Sequence, residues 1–138
     1  MAVGVAIATV LALSTTASAS FRGRMLDLTN RSRRAHGLHA LHMDHPLARD
    51  AKRHSVRMAR RGSLFHTGNL AHMLGHRNWS RWGENVGESP WDNLRALQRA
   101  FMRSPDHRYN ILNPSYHRVG IGVERRDGRV WVTLDFYG

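Results

Sequence analysis

There is no cysteine among the 138 residues, which removes disulfides and thiolate metal sites together. Lysine is almost missing as well: Lys52 is the only one, so the other 20 of the 21 basic side chains are arginine. Acids are scarce, ten in all, and the formal charge is +11 with a pI near 11.6. Long apolar runs are lacking too, and the one from Ala2 to Leu13 falls short of the ~20 residues a membrane span needs. Nothing in the chain matches a helical HExxH motif, a P-loop or a Gly-x-Ser-x-Gly elbow. A domain with these gaps must be held by its core or by bound metal. Arginine at this density suits nucleic acid, anionic lipid and anionic wall polymer alike through its planar fork, and equally serves to keep a domain in solution.

What is present bounds the chain further. With 41% hydrophobic residues and four Trp, it can bury a core and is not disordered in composition. Residues 1–19 read as a signal peptide: an apolar stretch followed by Ala17-Ser18-Ala19, the small residues a signal peptidase accepts. No Lys or Arg precedes Arg22, so the usual positive charge of such a leader is missing. The expectation is export of one domain, residues 20–138, to the extracellular space, with no stable transmembrane anchor after processing.

Local patterns predict helices first and strands last. "MLDLTNRSRRAHG" reads as a helix stopped by Gly37, and "LHALHMDH" as a connector. Asp44 is an expected N-cap, Pro46 stands in the first turn, and Leu47, Ala51, His54 and Met58 form one apolar face. Arg49, Arg53, Arg57 and Arg60 point outward, and Gly62 ends the segment. A short helix is expected around Asn69 to Leu74 and a strand-like piece at Glu84 to Val86. In "SPWDNLRALQRAFMRS" Ser89 is the expected cap and Pro90 the opening, with Trp91, Leu94, Leu97 and Phe101 buried and Pro105 as the stop. The C-terminus changes to period two, Val119-Ile121-Val123 and Val130-Val132-Leu134, around an Asp127-Gly128 hairpin turn. Helices followed by a hairpin give an α+β class.

Histidine is abundant, ten in all. His36, His39, His42 and His45 recur every third residue and would share an edge if extended, where imidazoles can bind zinc, copper or nickel. His66, Glu84 and His107 stand in segments expected to be non-helical: "LFHTG", "WGENVG" and "SPDHRYN". Two imidazoles and a carboxylate can form a three-ligand site with one open position, or an acid–base pair without metal; each can equally satisfy a backbone group at a turn. Ser63 and Thr67 flank His66 outside any nucleophile elbow, which disfavours a serine-type triad.

Several of these segments occur in an order that resembles bacterial domains of the CAP superfamily (cysteine-rich secretory proteins, antigen five, pathogenesis-related proteins). "LTNRSRRAHGL" is similar to the N-x-x-R-x-x-x-G-L opening, and "HMDHPLARDAKRHSVRMARRGSLFHT" to the run that follows it. "WGENVG" resembles the G-E-N box, "SPDHRYNILNPSYHRVGIGV" the S-P-x-H-R-x-N-I-L box, and "WVTLDF" the closing strand. The resemblance implies an α-β-α sandwich with a central antiparallel sheet, an extracellular protein, and a shallow cleft able to hold a divalent cation, often zinc. It places His66 and Glu84 on cavity positions, matches His107 to the box histidine, and sets Arg108 at the rim. A second cavity glutamate and a final histidine, present in eukaryotic members, are not reproduced; Asp92, Ser115 or His117 stand nearest to them.

The function expected from this is a secreted binding module. Its His/Glu cleft would take a small ligand, lipid or wall component, and its basic exterior would meet an anionic envelope polymer or lipid. The alternative is a metal-dependent extracellular hydrolase using the same cleft, with Glu84 as ligand or general base. Specific nucleic-acid binding is not expected, because neither a recognition-helix motif nor an aromatic platform is evident.

Overall fold

A computed structural model describes residues 4–91 and 93–138, with side chains from residue 20 onward. Of the expected leader, residues 1–3 lie outside the described residues and residues 4–19 are described as backbone of the first helix only; Asp92 lies wholly outside. In chain order the elements are α1 (Gly4–Ala35), β1 (His42–Met43), α2 (His45–Arg61), α3 (Leu70–Leu74) and β2 (Trp82–Pro90). They are followed by α4 (Leu94–Arg103), α5 (Pro105–Ile111), β3 (Arg118–Arg126) and β4 (Arg129–Tyr137).

The hairpin β3–β4 is the centre of the molecule. Asp127 and Gly128 both take positive φ, 50° and 73°, the conformation a two-residue turn with native twist requires. The turn sets the register Arg126↔Arg129 through Arg118↔Tyr137. β2 pairs antiparallel on the far side of β4, and β1 adds two residues parallel to β3, giving the order β1-β3-β4-β2. Three strands are thus antiparallel, as expected, and a short parallel edge makes the sheet mixed. Two residues carry no alternation, which is why β1 reads as connector in the sequence.

Alternation along the hairpin decides what covers each face. Val119, Ile121, Val123, Val130, Val132, Leu134 and Phe136 pack on Phe21 and Met25 of α1, Leu94, Leu97 and Phe101 of α4, and Ile111 of α5. On the opposite face Leu47 and Met58 of α2 meet Tyr137, Trp131 and Val86. The result is an α-β-α sandwich. α2 lies very close to the sheet: a Cβ on Gly122 would sit 2.1 Å from the Ala51 carbonyl carbon, so only glycine fits there. Asp44 caps α2 through Leu47 N at 2.8 Å, and Gly62 closes it at φ 64°.

Two expectations fail in the segment after β2. Ser89 and Pro90 do not open a helix; they pair with Val130 and Arg129 at the end of an edge strand, where a proline costs no ladder bond. Asn93 is the cap of α4, accepting from Ala96 N, and Trp91 stays 45% exposed instead of joining the core. "SPDHRYN" is not a loop either. Pro105 stops α4 and at once occupies the first turn of α5, where its missing N–H is no loss.

Candidate functional site

The site grows from the outer edge of β2. Glu84 is buried on the α2 side of this strand, and its Oε1 accepts from Thr67 N at 2.8 Å and meets His66 Nδ1 at 2.7 Å. The loop after α2 therefore closes onto the strand through one carboxylate oxygen. The His66 side chain remains 64% exposed, so the ring is held at its inner nitrogen and open at its outer one.

Behind Glu84 stands Asp135, its register partner on β4. Asp135 has no solvent exposure, and both its oxygens, like Glu84 Oε2, have no hydrogen-bond donor. Two buried carboxylates side by side cannot both stay charged. Burial above all, then the Glu84 charge and hydrogen bond and the charge of Asp50, push the Asp135 carboxyl well above its ordinary range. Burial raises Glu84 too, but the adjoining Thr67 hydroxyl and amide, Asp135 and His66 outweigh it and hold Glu84 below the usual value. Asp135 is consequently the member of the pair that holds a proton more readily. His66, Glu84 and Asp135 form one chain from solvent to core.

α5 closes the other side. Asn85 Nδ2 donates to His107 O at 3.0 Å, and Asn110 Nδ2 donates to Glu84 O at 3.2 Å and to Asn85 Oδ1 at 2.9 Å. This contact needs Gly83, where a Cβ would lie 2.4 Å from Asn110 Oδ1 and 2.7 Å from the Tyr116 hydroxyl. The His107 ring is half-buried against Phe101, with centroids 5.0 Å apart. Burial, and then the nearby His66, lower its pKa against a smaller opposing effect of Asp106.

Of the four residues singled out in the sequence, His66 and Glu84 are in direct contact and His107 lies near enough to feel the charge of His66. Arg108 turns elsewhere. Adjacent helical residues project about 100° apart, so Arg108 lines a separate hollow of about 570 Å³ with Arg81, Tyr109 and Leu112, and its Nη2 approaches His36 Nε2 at 3.2 Å. Ser115 borders that hollow, while His117 borders another, beside Asp44 and His45. The spaced row His36, His39, His42, His45 does not form one extended edge, because it runs from the end of α1 through β1 into α2. Among the described residues no three His, Asp or Glu side chains are grouped to hold a metal ion. Asp135, Asn85 and Asn110 were given no role from the sequence; the signals were a lone acid inside the apolar strand "VWVTLDFY" and the asparagines of the G-E-N and S-P-x-H-R-x-N-I-L boxes.

Residues 26–136 match the Cysteine-rich secretory protein (CAP) family profile, and this span holds the whole site. The chain belongs to the CAP family. This CAP domain is 35% identical over 109 residues to the uncharacterized membrane protein YlbC of Bacillus subtilis, covering 75% of this chain and 31% of that one. It is 29% identical over 125 residues to the uncharacterized protein YkwD of the same organism, covering 86% and 48%. The chain thus spans less than half the length of either relative. Among solved structures, an extracellular protein containing an SCP domain from Bacillus anthracis superposes with TM-score 0.73 at 28% identity, over 87% of this chain and 41% of that one. Among the described residues, no helix of the CAP domain is long and apolar enough to cross a membrane.

Proposed function

We propose that this CAP domain is an exported binding module, that the cleft between His66 and His107 takes a small ligand, and that its basic exterior holds it to an anionic envelope polymer or lipid. The observation that carries the cleft reading is the His66–Glu84–Asp135 chain. It fixes one imidazole by its inner nitrogen and presents the outer one to solvent, beside a second imidazole on α5. A buried carboxylate behind an exposed ring is the arrangement that orients a ligating histidine. Export is supported by the leader-like residues 1–19 and by the extracellular relative from Bacillus anthracis.

A divalent cation, zinc among them, would in this reading be held by the His66 and His107 imidazoles alone. Glu84 is the orienting group behind His66, because its Oε1 is already shared by two donors and its Oε2 faces Asp135. Water or ligand atoms would complete the coordination, so affinity is modest. A hydrolase with Glu84 as general base draws no support from a carboxylate held below its ordinary range and turned inward.

Zinc titration by calorimetry tests the reading. His66→Ala and His107→Ala should each weaken binding tenfold or more, and Glu84→Gln should weaken it by a factor of about 10–100 through loss of ring orientation. Isotherms indistinguishable from wild type in both histidine variants would remove the site.

A further inference from the structure

Four of the 20 arginines of this chain share one side of α2. Arg49, Arg53, Arg57 and Arg60 of α2 are all exposed. At 3.6 residues per turn they fall within an arc of about 80°, opposite Leu47, Ala51 and Met58. Neutralisation is slight. Asp50 pairs with Arg53, Arg57 Nη2 leans to His54 Nδ1 at 3.0 Å, and Arg49 and Arg60 have no ion pair or hydrogen-bond partner among the described residues.

Spacing gives this row a chemical meaning. Arg49, Arg53 and Arg57 are each four residues apart, about 6 Å along the axis. A phosphodiester polymer built on a three-carbon polyol repeats every six backbone bonds, about 7 Å when extended, by the measure that three such bonds span about 3.5 Å in a polypeptide. We propose that the outer side of α2 binds a linear polyol-phosphate polymer, with successive arginines on successive phosphates. This deepens the envelope-polymer reading above and rests on it, independently of the cleft. A nucleic-acid strand has a similar phosphate repeat, but the row has no aromatic side chain on which bases could stack; exposed Trp82, Trp91 and Tyr109 lie on other elements. A membrane surface would require an apolar stripe beside the cations, and Leu64 past the end of α2 is the one exposed large aliphatic side chain among the described residues. The row ends at Gly62, four residues before His66, so a bound polymer would run toward the cleft.

The experiment uses the full chain and a glycerol-phosphate oligomer of about ten repeats, with affinity followed by anisotropy from about 50 to 200 mM salt. Arg49→Gln/Arg53→Gln/Arg57→Gln is compared with Arg95→Gln/Arg99→Gln/Arg103→Gln, which removes the same charge from exposed positions of α4. The α2 triple should lose tenfold or more in affinity and about two units of log–log salt slope, the α4 triple less than threefold and less than one unit. Equal losses in both triples overturn the assignment to α2 while leaving general electrostatic attraction in place. Tighter α2-dependent binding to single-stranded DNA of equal phosphate number, or to vesicles of anionic phospholipid, also overturns it. A wild type that binds none of these probes, or binds without salt dependence, overturns the underlying reading of the exterior as well.

Discussion

Asp135 and Glu84 show how two like residues acquire opposite states from position alone. They face each other across the β4–β2 ladder, but only Glu84 reaches the donors of Thr67 and His66. Asp135 keeps its proton because it has burial and a charged neighbour and nothing that would stabilise an anion. Its raised pKa means that the unfolded chain releases this proton first as pH rises above about 4, the ordinary aspartate value. Folding stability from this group is complete below that pH and declines as pH rises toward the folded pKa. Asp135→Asn keeps a donor facing Glu84 and removes the titration. The variant should gain stability relative to wild type between about pH 4 and pH 7, by about 1.4 kcal/mol for each unit by which the fold raises the carboxyl. Urea melts across that range measure it, and a difference that is flat with pH would show Asp135 to be ionised in the fold.

Elements differ in how plainly their sequences announce them. α2 was legible from end to end, because Asp44, the apolar face and Gly62 are independent local signals that agree. The β3–β4 hairpin was legible for the same reason, with alternation and the Asp-Gly turn in accord. α4 and α5 were misread at their boundaries because Ser-Pro is ambiguous: Ser89-Pro90 terminates an edge strand and Ser104-Pro105 starts a helix. The error carried into the site. On a loop His107 and Arg108 could serve one cleft; on α5 they project about 100° apart, His107 onto Phe101 and Arg108 into a separate hollow. Asp135 was hidden for another reason, since its meeting with Glu84 depends on register between strands 51 positions apart in sequence. Tying α5 to α1 is Arg33, fully buried, which donates from Nη1 to Ile111 O and Asn113 O at 2.8 and 2.9 Å, from Nη2 to Tyr116 O at 3.0 Å, and from Nε to His39 O at 2.9 Å. Arg33→Met would remove the side-chain donor from all four carbonyls, leaving Asn113 O with Tyr116 N alone at 3.3 Å. It should cost roughly 3–5 kcal/mol in denaturant unfolding, the range for a broken buried charged network. Arg33→Lys should recover little of it, since one ammonium cannot span a fork with four acceptors.

At the scale of the whole molecule, two effects make acid unfavourable, and they can be separated. The chain carries +11 before any of its ten histidines is protonated, so lowering pH adds to an existing self-repulsion. His107 acts differently. Its folded pKa is lowered, by burial first, so below about pH 6.5 the unfolded chain takes up that proton more readily than the fold does. Its effect on stability is absent well above that pH and grows as pH falls through it. Repulsion between exposed charges is screened by salt, whereas burial of a ring against Phe101 is not. Asp135 titrates in the opposite sense, so the test uses the Asp135→Asn background, in which the thermal midpoint should fall between about pH 7.5 and pH 5.5. Added salt, about 0.5 M, should restore only part of the loss. His107→Gln, which keeps a polar side chain but does not titrate, should shrink the remainder. Zinc affinity should fall over the same interval, because protonation removes the nitrogen that would bind the cation. Full recovery of the midpoint with salt in that background would show that burial of the His107 ring does not oppose its protonation.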